Sequence, residues 1–279
     1  MLSSLTSGVS GLDSFQEQMD VIGNNIANLN TTGYKAATVD FADAFSNVLN
    51  APSGGSSSAS GTNPIQVGTG VSITAIDNNW TQGAISSTGI SSDLAVSGNG
   101  FFTVKDTTSG NTFATRDGTF SVDPNGYLIT ANGDRVQGYT DSSLSTVGDI
   151  KIDITGSPST SPMVSYSVDA QGNVNVTQAD GTTFVRGQVL LTNFEDPQKL
   201  INQGNNLFSN QAEAGPSTAA TPGSNGTGNI QAGSLELSNV DLSTEMANLI
   251  TAQRAFEANS KIITTSNEVL QTLTNMKQS

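Results

Sequence analysis

The chain has 279 residues, 35% hydrophobic and only 12% charged, and its 24 Asp+Glu against 10 Lys+Arg leave a net charge of −14. That length can bury a sizeable core, while the acidity repels nucleic acid and anionic membrane surfaces and argues against both as partners. There is no His and no Cys, which removes the commonest general base and the commonest metal ligands, so no catalytic, cofactor-binding or metal site is expected.

From the start of the chain, Leu2, Leu5, Val9, Leu12, Met19, Ile22, Ile26 and Leu29 recur at steps of three and four, missing one beat at Gln16. The spacing predicts an amphipathic helix with a narrow apolar seam. Gly8, Gly11 and Gly23 each cost up to about 1 kcal/mol relative to Ala, so the segment alone would be marginal. Asn30 to Gly33 should stop it, with Gly33 suited to a left-handed cap. The first basic residue is Lys35 and no long apolar run precedes it, so a cleaved Sec-type signal is not expected. No stretch approaches the roughly 20 apolar residues that span a bilayer, so membrane insertion is not expected either.

Residues 34–64 hold the short segment Phe41 to Phe45 and then a Ser/Gly-rich run from Ala51 to Gly61, which reads as an extended or flexible linker. From Ile65 to about Phe208, short alternating stretches such as Val71–Ile76 and Phe101–Val104 read as strands. Turn pairs separate them: Asp117-Gly118, Asn125-Gly126, Asn132-Gly133, Gln171-Gly172 and Asp180-Gly181 suit tight turns needing positive φ. A second Pro/Gly/Ser/Thr-rich loop covers Gly215 to Gly228. Beyond it, Leu242, Met246, Leu249, Ala252, Phe256, Ile263, Leu270 and Leu273 form a heptad-like stripe interrupted by Asn259 and Ser266, with no Pro or Gly after Ser234. Asp241 or Ser243 can cap this helix, and Glu245 complements the dipole in its first turn. The expected fold is α+β, with discontinuous, coiled-coil-like terminal helices (1–33 and 234–279) and a linker (34–64) flanking a mainly antiparallel β domain (65–233).

Other motifs have plain explanations. Ser97 to Phe102 is Gly-rich but lacks a following Gly-Lys-Ser/Thr and a helix, so it reads as a turn and not as a phosphate loop. Asp123-Pro124-Asn125-Gly126 begins like a calcium loop, yet its Gly comes two positions early and the closing Glu is missing. Asp93, Asp117 and Asp123 with Lys105 and Arg116 make the densest charged neighbourhood, which solvated hairpin tips would explain. Asn-X-Ser/Thr triplets are expected by chance in a chain this rich in those residues. The terminal stripes could pack on the β middle, but they are narrower than the apolar arc of a helix lying on a sheet. They fit better against each other and against other copies of the chain. Asn24, Asn25 and Asn28, near the seam, could then fix register between subunits, and Asn259 is expected at the same interface.

Ser7 to Leu12 followed by Met19 to Lys35, the pair Asp93–Phe102 and Thr115–Phe120, and the pair Gly233–Leu242 and Ala252–Lys261 together resemble the signatures of bacterial flagellar axial proteins, which build the rod and hook. The resemblance runs from Leu2 to about Met276. It implies export through the flagellar type III apparatus and assembly under a cap at the growing tip into a homopolymeric tube outside the cell. Its neighbours would be rod and hook-associated proteins, and its terminal helices would order only on assembly. Within the family, Gly23, Phe41–Phe45 and Gln137–Tyr139 look hook-like, so a hook subunit that transmits torque as a flexible joint is expected. The absence of an inserted outer domain over Gly138–Ser161 points instead to the distal rod as the alternative. From another class, a secreted β-rich adhesin with trimerising helices is the remote alternative.

Overall fold

A computed structural model of the protein describes residues 2–52, 54, 61–141, 144–209, 211–215 and 218–278. The fold is α+β, as the periodicities predict, and every strand pair among the described residues is antiparallel. The chain divides into two compact units: Met1–Ala27, Ala37–Asn79 and Val240–Ser279 form the first, Asn28–Ala36 and Trp80–Asn239 the second. No helix among the described residues is long and apolar enough to cross a membrane.

Among its described residues the first unit holds two helices, α1 (Leu2–Ala27) and α2 (Leu242–Gln278), and four strands: β1 (Ala37–Asp43), β2 (Ser46–Asn50), β3 (Ile65–Gly68) and β4 (Val71–Asn78). Residues 37–50 are therefore extended, but as paired strands and not as a linker, because β1 pairs with β4 and β2 with β3. Most of the expected Ser/Gly connector, 53 and 55–60, lies outside the described residues. In the β1–β4 ribbon Val39, Ala42, Val71, Ile73 and Ala75 are half-buried while Thr38, Asp40, Ser72 and Thr74 face water, the alternation of a sheet covered on one side. α1 supplies that cover: Phe15 packs on Phe41 with ring centroids 5.9 Å apart, and the Val71 N–H donates to Ser10 Oγ at 3.3 Å.

α1 ends at Ala27, three residues before the expected stop begins at Asn30, because Asn28 turns the chain. The Thr31 N–H donates to the Asn28 carbonyl at 3.1 Å, and the Thr31 hydroxyl donates to Asn28 Oδ1 at 3.0 Å. Gly33 does adopt a positive φ of 68°, but within the second unit and with its N–H donating to the Glu236 carbonyl at 2.8 Å. At the other end Asp241 caps α2, accepting from the Ser243 N–H at 3.0 Å and the Thr244 hydroxyl at 2.9 Å.

In the second unit the described residues form a thirteen-stranded sheet. Its main path runs from Met163–Val168 through Asn173–Gln178, Thr183–Val189, Arg135–Tyr139, Phe101–Lys105, Thr112–Thr115 and Leu207–Ser209 to Ile201–Asn202. Leu94, Phe102, Val136, Val174, Val189 and Leu191 anchor the larger apolar core, and Phe101, Phe194 and Phe208 a smaller one. Two ribbons complete the unit, Leu94–Ser97 with Asn229–Ala232 and Ile85–Ser87 with Ser234–Glu236. The second expected loop contributes a strand, Thr218–Ala220, paired with Leu191–Asn193. Residues 234–239 thus belong to the β-rich unit and not to the terminal helix.

The charged neighbourhood is not a set of solvated tips. Asp93 and Arg116 are buried, and Asp93 accepts from the Thr88 hydroxyl at 2.6 Å. Asp123 behaves as a turn residue: its Oδ1 accepts the backbone N–H groups of Asn125 at 2.9 Å and Tyr127 at 2.7 Å.

Candidate subunit interface

Within the first unit α1 and α2 run antiparallel. A Cβ on Gly11 would stand 2.5 Å from Asn259 Nδ2 and one on Gly8 3.3 Å from Ile263 Cγ1, while at the far end of α1 Asn25 reaches Glu245. Of the three glycines that weaken α1 as an isolated helix, Gly23 is exposed with nothing near it, whereas Gly8 and Gly11 are part of the surface on which α2 lies. Their missing side chains let the two backbones approach closely, which offsets part of their propensity cost.

Besides the half-buried Ala255 and Ser260, the buried or half-buried positions of α2 are Glu245, Leu249, Ala252, Phe256, Asn259, Ile263 and Ser266. Their steps of four and three make a regular seam, in which Asn259 and Ser266 are members and not interruptions. On α1, Ile22 and Asn25 are buried and Leu5, Leu12, Met19 and Ile26 half-buried. Leu29, also half-buried, lies beyond the helix in the second unit. Asn25 is engaged within the chain. Its Nδ2 donates to the Ala37 carbonyl at 2.8 Å and to Glu245 Oε1 at 3.0 Å, and its Oδ1 accepts the Ala37 N–H at 3.0 Å. It binds α1, β1 and the first turn of α2 together. Asn24 is exposed, and Asn28 belongs to the turn in the second unit.

A second set of apolar side chains faces water. Val9, Leu242 and Met246 are exposed, as are Leu270 at 36% and Leu273 at 48%. Leu270 and Leu273 prolong the Ile263, Ser266 spacing by the same four and three steps. They are exposed because the antiparallel pairing has carried α1 to its first residues by Ile263. With a 1.5 Å rise per residue, α2 runs on for about 22 Å past Ile263, while α1 has only about 9 Å left beyond Gly8. Ile250, Ile262, Val269 and Met276 add to the exposed apolar surface, and Glu268 is the only charged residue between Ile262 and Met276. The sequence reading missed these four because they sit off the single stripe it followed. It also missed the β2–β3 ribbon, where Phe45 is 84% exposed and Val48, Leu49, Ile65 and Val67 are exposed beside it. Exposed apolar side chains gathered in this way make a candidate interaction surface.

Comparison with known proteins accords with this arrangement. Residues 5–35 match the family described as flagella basal body rod protein, 95–176 the flagellar hook protein FlgE/F/G D1 domain, and 231–276 the flagellar basal body rod FlgEFG protein C-terminal. The chain is 41% identical over 279 residues to the flagellar basal-body rod protein FlgG of Bacillus subtilis, covering 100% of both chains. It is 32% identical over 291 residues to FlgG of Borreliella burgdorferi, again covering 100% of each. Against the flagellar hook protein FlgE of the same organism it is 50% identical over 140 residues, half of this chain but 31% of the hook protein. The end-to-end matches thus favour the rod over the hook reading suggested by Gly23, Phe41–Phe45 and Gln137–Tyr139.

Proposed function

Because the chain belongs to the family of flagellar hook and basal-body rod proteins, we propose that it is a structural subunit of the rod, polymerising through its terminal helices into a torque-bearing tube. The observation that carries the assembly part is the overhang of α2. Leu270 and Leu273 continue a helix seam beyond its intramolecular partner, and a helix from another copy is the surface with matching spacing. Leu242, Met246 and Val9 extend the contact along the helix pair. The rod reading is supported by agreement in length with relatives named as rod proteins and by the absence of an inserted domain after Gly138.

In this reading the subunit leaves the cell through the flagellar export apparatus, and its partners are copies of itself and the neighbouring axial proteins. A hook cap belongs to the hook alternative alone. Purified subunit at high concentration should form hollow helical tubes in negative stain. Discrete trimers would instead support the adhesin alternative.

A further inference from the structure

Inside the second unit, segments distant in sequence meet at one buried carboxylate. Glu236 closes the strand Ser234–Glu236, with its side chain 1% exposed. Its Oε1 accepts from Lys35 Nζ at 2.7 Å and from the Gly83 N–H at 2.9 Å, and its Oε2 faces Arg116 Nη1 at 3.3 Å. Lys35 Nζ also donates to the Thr81 carbonyl at 2.8 Å. Arg116 Nη2 donates to the Gly98 carbonyl at 3.0 Å, and the guanidinium stands 5.1 Å from the centre of the Phe101 ring. The backbone follows the same convergence. The Gly33 N–H donates to the Glu236 carbonyl at 2.8 Å, the Ala36 N–H to Asn239 Oδ1 at 2.8 Å, and Asn239 Nδ2 to the Thr81 carbonyl at 3.1 Å.

Two cations around one anion, all buried, are a costly way to fill a core. Apolar residues of similar volume often serve stability as well or better, whereas removing one partner of such a cluster leaves a buried charge uncompensated. Burial lowers the pKa of Lys35, with Glu236 opposing it, and burial likewise lowers that of Arg116. What the cluster supplies beyond stability is definition, since a carboxylate with several fixed donors admits one arrangement of the segments that carry them. Those segments are the stem 28–36 that follows α1, the stem 234–239 that precedes α2, and the body strands around Arg116.

We propose that Lys35, Arg116 and Glu236 are positioning residues that clasp both stems onto the β-rich unit, so that the stems are ordered in the subunit before it assembles. The two helices are then tethered through short segments that end at the same clasp. Such tethering raises the effective concentration of each helix for the other and suits their antiparallel pairing, in which the end of α1 must meet the start of α2.

Amide hydrogen exchange on the unassembled full-length subunit, compared with Lys35→Met and Glu236→Gln, tests the clasp. In the unaltered protein the Gly33, Ala36 and Gly83 amides should exchange at least about a hundredfold more slowly than in an unstructured chain. In both variants their protection should fall by about tenfold or more, while the Phe102 and Val136 amides of the body change by less than about twofold. Lys35→Met keeps the Glu236–Arg116 pair and serves if Glu236→Gln does not fold. Coil-like exchange of Gly33 and Ala36 in the unaltered subunit would overturn the proposal. So would unchanged protection in the variants, or loss of stem and body protection together. The measurement precedes assembly, so its outcome does not depend on whether the chain builds a rod.

Discussion

Gly118 shows how a single residue carries more constraint than its local sequence reveals. The Asp117-Gly118 pair reads as a turn needing positive φ, yet Gly118 is not among the glycines with positive φ, whereas Gly126, Gly133, Gly172 and Gly181 all are. A Cβ on Gly118 would lie 1.6 Å from the Leu94 carbonyl oxygen, and the Leu94 N–H donates to the Gly118 carbonyl at 3.1 Å. The need is for close approach between backbones, and a partner 24 positions upstream leaves no local trace. Gly118→Ala should therefore destabilise the β-rich unit by about 3 kcal/mol or more, because backbone on both sides must shift. Urea unfolding followed by fluorescence measures this, and a loss under about 1 kcal/mol would show that the strands part easily.

Several aspartates make folding pH-dependent. Burial acts to raise the Asp153 carboxyl, but hydrogen bonds from Arg186, from the Thr155 N–H and hydroxyl and from Lys151 outweigh it and hold the group at about 2. The Ser159 hydroxyl, then the N–H and hydroxyl of Thr182, hold Asp180 at about 2 as well. An unfolded Asp titrates near pH ~3.9. With the folded values lower, these groups contribute stability that is fully present above that pH and is lost as the pH falls from about 4 towards 2. The urea midpoint should be flat between about pH 7 and 5 and drop steeply below about 4. Asp153→Asn should lower the neutral plateau and make the acid limb shallower. An unchanged midpoint at about pH 2.5 would contradict the assignment.

At the scale of elements, the terminal helices were legible and their partners were not. A three and four spacing announces a helix and its apolar face from sequence alone. Nothing local says that Val71–Asn78 pairs with Ala37–Asp43 some thirty residues earlier, across a Ser/Gly-rich run, or that α1 covers the resulting ribbon. Strand pairing of this kind is decided by tertiary context. Gly8 and Gly11 of α1 were legible as a cost but not as a contact, since that requires knowing that Asn259 and Ile263 lie opposite. The geometry separates two kinds of helix residue that one stripe had merged. Phe256 is half-buried in the intramolecular seam, whereas Leu273 is exposed beyond it. Phe256→Asp should loosen the helix pair inside one subunit, lowering its helical circular dichroism. Leu273→Asp should leave the dichroism of the subunit unchanged and still prevent tube formation. Tubes of normal length from Leu273→Asp would remove the overhang from the assembly surface.

For the molecule as a whole, the sequence placed a β-rich body between helical ends but drew the borders in the wrong places. Residues 28–33 looked like part of the first terminal helix because Leu29 continues its apolar rhythm, and 234–239 like part of the second because no Pro or Gly follows Ser234. They belong to the β-rich unit because Gly33 and Glu236 hydrogen-bond there. The buried cluster of Lys35, Arg116 and Glu236 was present in the sequence only as three charges in separate signature segments, each of which also carries an aspartate, and their meeting depends on the completed fold. The strands 37–50 and 65–78, read as linker and body, join the helices in a unit of their own. That unit carries the exposed apolar helix surface and the exposed β2–β3 ribbon. In the proposed rod it is the part that would meet other subunits, and the β-rich unit has the larger closed core. The most direct test of the central claim is immunogold electron microscopy of purified hook–basal bodies with antibodies to this chain. Label confined to the straight rod segment is the predicted result, and label along the curved hook, or none on the axial structure, would contradict it.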